Sequence, residues 1–427
     1  MDKPMNNPVN SPMIEPKNDL MIDSASDSMF DSLSVETSNE ESPEMINLMI
    51  LIPSMEGGGS ERFTLHLLRQ LPRNRYRITL LMVDRSGPLL SDIPSWIRTL
   101  GTAHSRVLKS LPALIGTIRR VKPDVVMSTL SHLNILMALA RPLIPREIRV
   151  IARESNTISR NNANQPFPKL FDQLYRLFFS NLDGIICQSN DMFRDLMDNF
   201  HIPASKMKMI PNPVDNLTIA ARADSMIRSG ESPWPSSECI KLLACGRLHM
   251  EKGFDLLLRA LALMNEKANH PDCSRYRSWS LRVIGHGPLR QELTDLTQEL
   301  GLQNSVNFMG YVDDPIPWMA GADLFLLPSR FEGCPNALLE NLAAGTPAVA
   351  FDCPGGINEL ITSPDIGFLA EKEDVNSLAA SIFRAFEALE NNSFSMKSIR
   401  SAVARHNMVR VINQYDDYIS SMAVKHD

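Results

Sequence analysis

The sequence predicts two doubly wound α/β domains in series. Three observations carry that prediction. Short continuous apolar runs alternate with helical periods along most of the chain, which is the pattern of parallel sheets covered on both faces. The alternation stops over residues 211–239, where PNPVDN and SGESPWPSSE cluster turn residues, and then restarts. The 427 residues, 44% of them apolar, suffice for two separate cores.

Residues 1–44 are rich in Ser, Asp, Asn, Met and Pro and have no sustained apolar period, so they read as a disordered tail. Met45 to Pro53 is the first strand, apolar throughout and so suited to burial on both faces. Glu56-Gly-Gly-Gly-Ser-Glu-Arg62 follows as a glycine loop. A helical period then runs through Phe63, Leu65, Leu67, Leu68 and Leu71. Arg77–Val83 is a strand, Leu111–Val121 a helix and Asp124–Ser128 a strand, with a helix from about Asn134. Arg149–Ala152 and Gly184–Gln188 are strands flanking a helix over 168–180, and Met207–Ile210 closes the first half. The second half reads as strands at Ile240–Cys245, Trp279–Ile284, Val306–Met309, Leu324–Leu327 and Pro347–Phe351. Helices are expected over 253–267, 288–300, 335–344, about 374–390 and 396–422. The domain boundaries that follow are a tail over 1–44, a first domain over 45–212, a linker over 213–238, a second domain over 239–390 and a C-terminal helix over 391–427.

Charge is unevenly spread. Residues 46–215 hold 22 Lys and Arg against 13 Asp and Glu, within a chain of net charge −6. A basic middle section in an acidic chain suggests an anionic partner such as a lipid headgroup or a phosphate, although a solvated surface produces the same count. The six cysteines, Cys187, Cys239, Cys245, Cys273, Cys334 and Cys353, form no CxxC pair and no metal-ligand spacing. They read as free thiols in a reducing, cytoplasmic compartment. No basic segment followed by an apolar core opens the chain, so no signal peptide is expected. No apolar run reaches the roughly 18 residues of a membrane span.

Three loops carry candidate chemistry. Gly57-Gly58-Gly59 lies between a strand and a helix, where glycine allows close backbone approach and the helix N-terminus favours anions. It is neither GxGxxG nor a P-loop. Arg247 and Lys252, in CGRLHMEKG, follow a strand and precede a helix, and two cations there suit a diphosphate. Glu332 and Glu340, in EGCPNALLE, flank a helix start with Pro335 in its first turn and Gly345 at its stop. Carboxylates accept hydrogen bonds from hydroxyls, and the helix N-terminus between them suits phosphate. A nucleotide sugar has that layout of hydroxyls, diphosphate and hydroxyls.

These residues resemble a retaining glycosyltransferase of family 4, with the GT-B fold of two Rossmann-like domains facing across a cleft. The resemblance covers about residues 46–390. It includes EGGGSER, the RPLIPREIRVIARESN region, PNPVD, GRLHMEKG, VIGHGPLR, NFMGYVDD and ADLFLLPSRFEGCPNALLENLAAGTPAVAFDCPGG. The E-x7-E pair is its most specific part, and bacterial enzymes of surface-polysaccharide synthesis are the most similar members. The resemblance implies that Arg247 and Lys252 bind the donor diphosphate, that Glu332 holds the donor sugar and that Glu340 holds the ribose. Gly58 and Gly59 would approach from the first domain, and Gly285 and Gly287 would line the nucleotide. Family members carry a histidine after the strand near residue 125. Here His132 is displaced from that pattern, Thr129 is its rival for the place, and Glu154 in RESN is a further candidate near the cleft.

The implied donor is a nucleotide-diphosphate sugar, UDP-linked, and the acceptor a saccharide or a polyprenyl-diphosphate-linked saccharide, with no cofactor, no metal and no nucleic acid. Peripheral contact with a membrane is expected through the basic first domain, with Arg98, Arg106, Lys109, Arg119, Arg120 and Lys122 as its cations. Leu108, Leu111, Leu114, Ile115 and Ile118 would form either an adjoining apolar stripe or a sheet-facing core. Two other functions share this fold: a nucleotide-sugar epimerase, and a non-catalytic nucleotide-sugar-binding subunit.

Overall fold

The structure, a computed structural model, describes residues 45–102, 107–235, 239–268 and 278–423. The tail expected over 1–44 lies outside the described residues, as do Arg106 and Cys273. Two sheets organise the rest. The first contains β1 (Ile46–Ile52), β2 (Tyr76–Met82), β3 (Arg98–Gly101), β4 (Val125–Thr129), β5 (Arg149–Arg153), β6 (Gly184–Cys187) and β7 (Met207–Met209). The second contains β8 (Ile240–Cys245), β9 (Trp279–Ile284), β10 (Val306–Gly310), β11 (Leu324–Leu327), β12 (Ala348–Phe351) and β13 (Gly367–Ala370).

The first sheet has the order β3-β2-β1-β4-β5-β6-β7 and the second β10-β9-β8-β11-β12-β13, with every pairing parallel. In both sheets the strand order reverses beside the opening strand, between β1 and β4 and again between β8 and β11. Ligands of doubly wound sheets bind in the crevice at the carboxyl ends of the strands at such a reversal.

The helices of the first half are α1 (Gly59–Gln70), α2 (Val107–Val121), α3 (Ser131–Ala140), α4 (Ile158–Ala163), α5 (Pro168–Phe178) and α6 (Asn190–Phe200). Strand β1 shows why its sequence is apolar throughout. Leu48, Ile50 and Ile52 join one cluster with Phe63 and Leu67 of α1, while Met49 and Leu51 join another with Leu114 of α2, Leu133 of α3 and Tyr175 of α5. Both faces are therefore covered. The same packing decides the α2 stripe. Leu114, Ile115 and Ile118 are buried against the sheet, and Leu108 alone is 75% exposed. The stripe is core and not a membrane face.

After the first sheet come α7 (Asn216–Ser229), α8 (Phe254–Ala268), α9 (Arg290–Glu299), α10 (Ile316–Ala320), α11 (Asn336–Ala344), α12 (Val375–Glu390), α13 (Met396–Ser401) and α14 (Met408–Ala423). Helix α7 corrects the linker expected over 213–238. Asp215 caps it by accepting from Thr218 N, and Gly230 ends it in the left-handed region at φ 71°. It buries only Ile219 and Ala223, too thin an apolar face to stand out between the flanking prolines. The expected C-terminal helix is two helices, and α14 returns to the first sheet instead of ending the second domain. Met408, Val411, Ile412, Tyr415 and Ile419 complete the cluster under β1 and α1. The chain thus crosses between the halves twice, and the crossings are tied by Val214 N to His406 O at 2.7 Å and Met408 N to Val214 O at 3.0 Å.

Helix α14 is anchored by Asp416, which is 8% exposed and accepts from Tyr76 Oη and Arg75 Nη1, each at 2.5 Å. Burial and this carboxylate together push the Tyr76 phenol well up. Replacing Asp416 by Ala removes the carboxylate shared by the phenol and Arg75, leaving the phenol only the backbone carbonyl of that residue at 3.1 Å and Ser420 Oγ at 3.0 Å, a loss of about 1–3 kcal/mol. Asp416→Ala is expected to lower the thermal midpoint by several degrees, and an unchanged midpoint counts against this anchor.

Candidate functional site

The loops after β8 and β11 meet at the strand-order reversal of the second sheet. Gly253 makes their approach possible. Its φ is +64°, and a Cβ there would stand 2.0 Å from Pro328 O. The approach sets Lys252 Nζ 2.6 Å from Glu332 Oε1. Ser329 Oγ donates to the same oxygen at 2.6 Å, and Glu332 N donates to Pro354 O at 2.8 Å. Glu332 is only 6% exposed, so its charge is paired as buried carboxylates require. Arg247 stands on the same loop with its guanidinium 3.1 Å from Glu251 Oε1, and His249 Nδ1 contacts the other oxygen of that carboxylate. Arg247 is exposed and shares no hydrogen bond with Glu332, so it is available to a ligand in a way that Lys252 is only in part.

Glu340 lies inside α11, half-buried and with no hydrogen-bond or ion-pair partner among the described residues. Burial pushes its carboxyl up to about 7, with the Arg62 guanidinium pulling the other way. Arg62 comes from the first half and donates to Tyr311 Oη of the second at 3.1 Å. Gly58 caps α1, and a Cβ on Gly59 would stand 3.2 Å from Asn336 Nδ2 at the start of α11, so the glycine loop faces the helix that carries Glu340. Gly285 and Gly287 lie on the loop after β9, against the loop after β8. Their Cβ positions would fall 1.8 Å from Gly246 O and 2.4 Å from Leu248 O, so these glycines let the loops after β8 and β9 touch backbone to backbone.

In the first half, His132 opens α3 and is exposed. Desolvation by its neighbours lowers its pKa. Glu154 is not at a surface, as a substrate ligand would be. It is fully buried and accepts from Ser131 Oγ at 2.8 Å, Asn134 Nδ2 at 2.9 Å and Tyr175 Oη at 3.3 Å. Burial raises its carboxyl to about 7 against those three donors. Its carboxylate is occupied by these three donors, and Gln188 Nε2 donates to its carbonyl at 2.5 Å.

The sequence reading singled out neither Arg153 nor Asn212, though both lie within RESN and PNPVD motifs it quoted. Arg153, 1% exposed, donates to Asn212 Oδ1 at 2.5 Å and to Tyr415 Oη at 3.1 Å, and lies 3.6 Å over the Phe63 ring. Asn212 in turn donates to Asn336 Oδ1 at 2.7 Å and Cys334 O at 3.2 Å. Thr157 Oγ1 donates to Glu332 O at 3.1 Å, and Gly333 packs on the Ser155 carbonyl. The loop bearing Glu332 is therefore braced by the first half.

The Glu340 carboxyl gives a pH signature. Its ordinary value is 4.5 and its folded value about 7. Below 4.5 both folded and unfolded chains keep the proton and burial costs nothing. Between the two values the unfolded chain ionises first, so stability falls as pH rises, and the whole cost is present above about 7. Glu340→Gln is expected to raise the thermal midpoint more at about pH 8 than at about pH 5, and equal shifts at both would contradict a desolvated carboxyl.

Comparison with known proteins fits this geometry. Residues 57–216 match the model described as Glycosyltransferase Family 4, and residues 239–388 match Glycosyl transferases group 1. The chain is 28% identical over 348 residues to an N-acetylgalactosamine-N,N'-diacetylbacillosaminyl-diphospho-undecaprenol 4-alpha-N-acetylgalactosaminyltransferase of Campylobacter jejuni, covering 78% of this chain and 88% of that one. It is 23% identical to a UDP-Gal:alpha-D-GlcNAc-diphosphoundecaprenol alpha-1,3-galactosyltransferase of Escherichia coli, covering 86% and 94%. Among solved structures, Anabaena HepE in complex with UDP-glucose superposes with a TM-score of 0.69 at 19% identity, covering 88% of this chain and 100% of that one. With one family model on each half, and two doubly wound sheets meeting at their reversal points, the chain belongs to the family 4 glycosyltransferases of GT-B fold.

Proposed function

We propose that this glycosyltransferase moves a sugar from a UDP-linked donor to a polyprenyl-diphosphate-linked saccharide in surface-polysaccharide synthesis, with the anomeric configuration retained. The observation that carries the reading is the Lys252–Glu332 pair at 2.6 Å, set at the β8–β11 reversal and braced by Thr157 of the other half. The relatives from Campylobacter and Escherichia coli, whose names specify diphospho-undecaprenol acceptors, support the acceptor class. The UDP-glucose complex of HepE supports the donor class.

Each residue has a role on this reading. Arg247 and Lys252 meet the diphosphate and take up the charge that grows on it as it leaves, so side chains do the electrostatic work that a divalent cation does elsewhere. Glu332 orients hydroxyls of the transferred sugar while holding Lys252 in place. Glu340 accepts from the ribose diol, since its carboxylate has no other partner. The acceptor hydroxyl attacks on the face from which the diphosphate departs. No side chain is assigned as a nucleophile.

Membrane contact falls to α5 in place of α2. Phe167, Leu170 and Leu177 are 67%, 51% and 68% exposed and follow one side of that helix, with Lys169 and Arg176 beside them. An apolar stripe flanked by cations suits an anionic lipid surface. The α2 cations Lys109, Arg119 and Arg120, with Arg98 and Lys122, are also exposed on this half. Among the described residues no helix is long and apolar enough to cross a membrane.

The transfer reaction is tested with UDP-sugars and a short-chain polyprenyl-diphosphate acceptor. Arg247→Ala and Lys252→Ala are each expected to lose roughly 2–4 kcal/mol of transition-state stabilisation, about 30- to 1,000-fold in rate, with the wild type unaffected by EDTA. Near-normal rates in both variants would sink the assignment, and conversion of the donor sugar without transfer would mark an epimerase. Glu340→Gln should weaken UDP binding. Glu332→Gln should leave UDP bound at least as tightly, because it frees Lys252, yet impair transfer. Weaker UDP binding by Glu332→Gln contradicts that division. For the membrane face, the double variant Leu170→Ser, Leu177→Ser is expected to sediment less with vesicles containing anionic lipid, and undiminished sedimentation argues against α5.

A further inference from the structure

A pocket of about 150 Å³ opens in the first half at the carboxyl end of β4, beside the reversal between β1 and β4. Its lining includes no Lys, Arg, Asp or Glu. Polar side chains converge on it all the same. His132, Ser155, Asn156, Asn161 and Gln165 all line it, and none of their side chains has a hydrogen-bond partner among the described residues. Asn162 is different, since its amide is committed to Asp172 Oδ1 at 2.9 Å. Leu130, Ile135 and the rings of Phe171 and Tyr175 supply apolar wall.

Three features mark the pocket as built. Leu130 holds φ 70° and ψ 135°, a conformation that a leucine adopts only under constraint and that is concentrated at functional sites. Beneath the floor, Glu154 gathers Ser131, Asn134 and Tyr175, so two of the lining residues are fixed from below. On the open side, Ser155 and Asn156 are the residues on which Gly333 packs, with a Cβ there falling 2.0 Å from Ser155 O and 3.0 Å from Asn156 N. The pocket thus adjoins the loop bearing Glu332, where the transferred sugar would be held.

The chemistry of the lining selects the ligand. An uncharged, polar pocket with free side-chain amides excludes the diphosphate, whose charge would find no cation in it. Hydroxyls alone would be served by Ser155 and His132. Side-chain amides add paired donors and acceptors, which match the N–H and C=O of another amide, and the apolar wall accommodates a methyl group. Helix α5 contributes Phe171 and Tyr175 to the pocket and the exposed Phe167, Leu170 and Leu177 to the outer surface. A sugar carried on a lipid can reach the pocket with its chain following that outer face.

We propose that this pocket receives the terminal sugar of the acceptor and selects for an acetamido substituent on it, through Asn156, Asn161 and Gln165. The proposal rests on the glycosyl-transfer reading and adds the identity of the acceptor sugar to it.

Two acceptors that differ only in this group test it: a short polyprenyl diphosphate bearing an N-acetylhexosamine, and the same lipid bearing the parent hexose. The wild type should favour the acetamido acceptor at least tenfold in kcat/KM. Asn161→Ala and Gln165→Ala should each raise the KM for that acceptor roughly tenfold and narrow the preference, while binding of UDP measured by calorimetry stays within about twofold. Gln165→Glu keeps the size of the side chain, so it serves where an alanine variant fails to fold, and the charge it adds should raise the acceptor KM as well. Unchanged acceptor KM and unchanged preference in these variants, with an active wild type, overturn the pocket assignment and leave the transfer reading standing. A wild type that transfers to neither acceptor overturns the transfer reading, and the pocket assignment with it.

Discussion

A single buried guanidinium ties together the segments on which the cleft depends. Arg153 closes β5, bonds Tyr415 of α14, bonds Asn212 at the crossing between the halves and covers Phe63 of α1. These partners lie up to 262 residues away in sequence. Taking a cation out of water costs several kcal/mol, offset here by the bonds from Nε and Nη2 and the Phe63 ring while Nη1 has no partner among the described residues, so the arrangement needs all these segments in place together. Asn212 extends the tie by one step, to Asn336 at the start of the helix carrying Glu340. The geometry of the second half's site is in this way conditional on the folding of the first.

The strand order then decides where chemistry can occur. Both sheets reverse beside their opening strands, and the segments at those reversals carry the glycine turn and, at the start of α3, His132 on one side and Arg247, Lys252 and Glu332 on the other. Glycine sets how closely these loops meet. Gly253 permits the approach that pairs Lys252 with Glu332, and Gly333 permits the approach of Ser155 to the same loop. A side chain at either position would hold the loops apart by more than a hydrogen bond tolerates. Backbone spacing, more than the charges themselves, sets Lys252 and Glu332 at one place.

Much of this was legible in the sequence because strong local signals coincide with tertiary ones. The strands buried on both faces stood out as apolar runs, and Arg247, Lys252, Glu332 and Glu340 stood out through their spacing around helix starts. The reading was incomplete where the signal is not local. Helix α7 buries two residues and so lacks a visible period, and β3 and β13 are four residues each. The return of α14 to the first sheet depends on Tyr76 and Asp416, 340 positions apart, which no periodicity connects. Glu154 was read as a candidate near the cleft from its place in RESN, a local signal that carries no information about burial. Its burial follows from Ser131, Asn134 and Tyr175, three donors on two helices.

Glu154 and Glu340 differ in how many donors the protein supplies to a buried carboxyl. Burial raises both carboxyls to about 7, so titration alone does not distinguish them. Glu154 has three donors supplied by the protein, and its hydrogen-bonding capacity is largely used within the fold. Glu340 has none among the described residues, only the distant pull of Arg62. A desolvated acceptor without a donor is unfavourable for the free protein and becomes favourable when a ligand brings hydroxyls to it. On the proposed reading that cost is recovered on binding, and selectively, by ligands with donors at that position. Lys252 is the opposite case, a cation neutralised in advance by Glu332, which on the proposed reading an incoming diphosphate would have to share. The described residues thus hold an unpaired carboxyl at Glu340 and a paired cation at Lys252, and on the proposed reading a ligand that brings both hydroxyls and phosphate would satisfy them together.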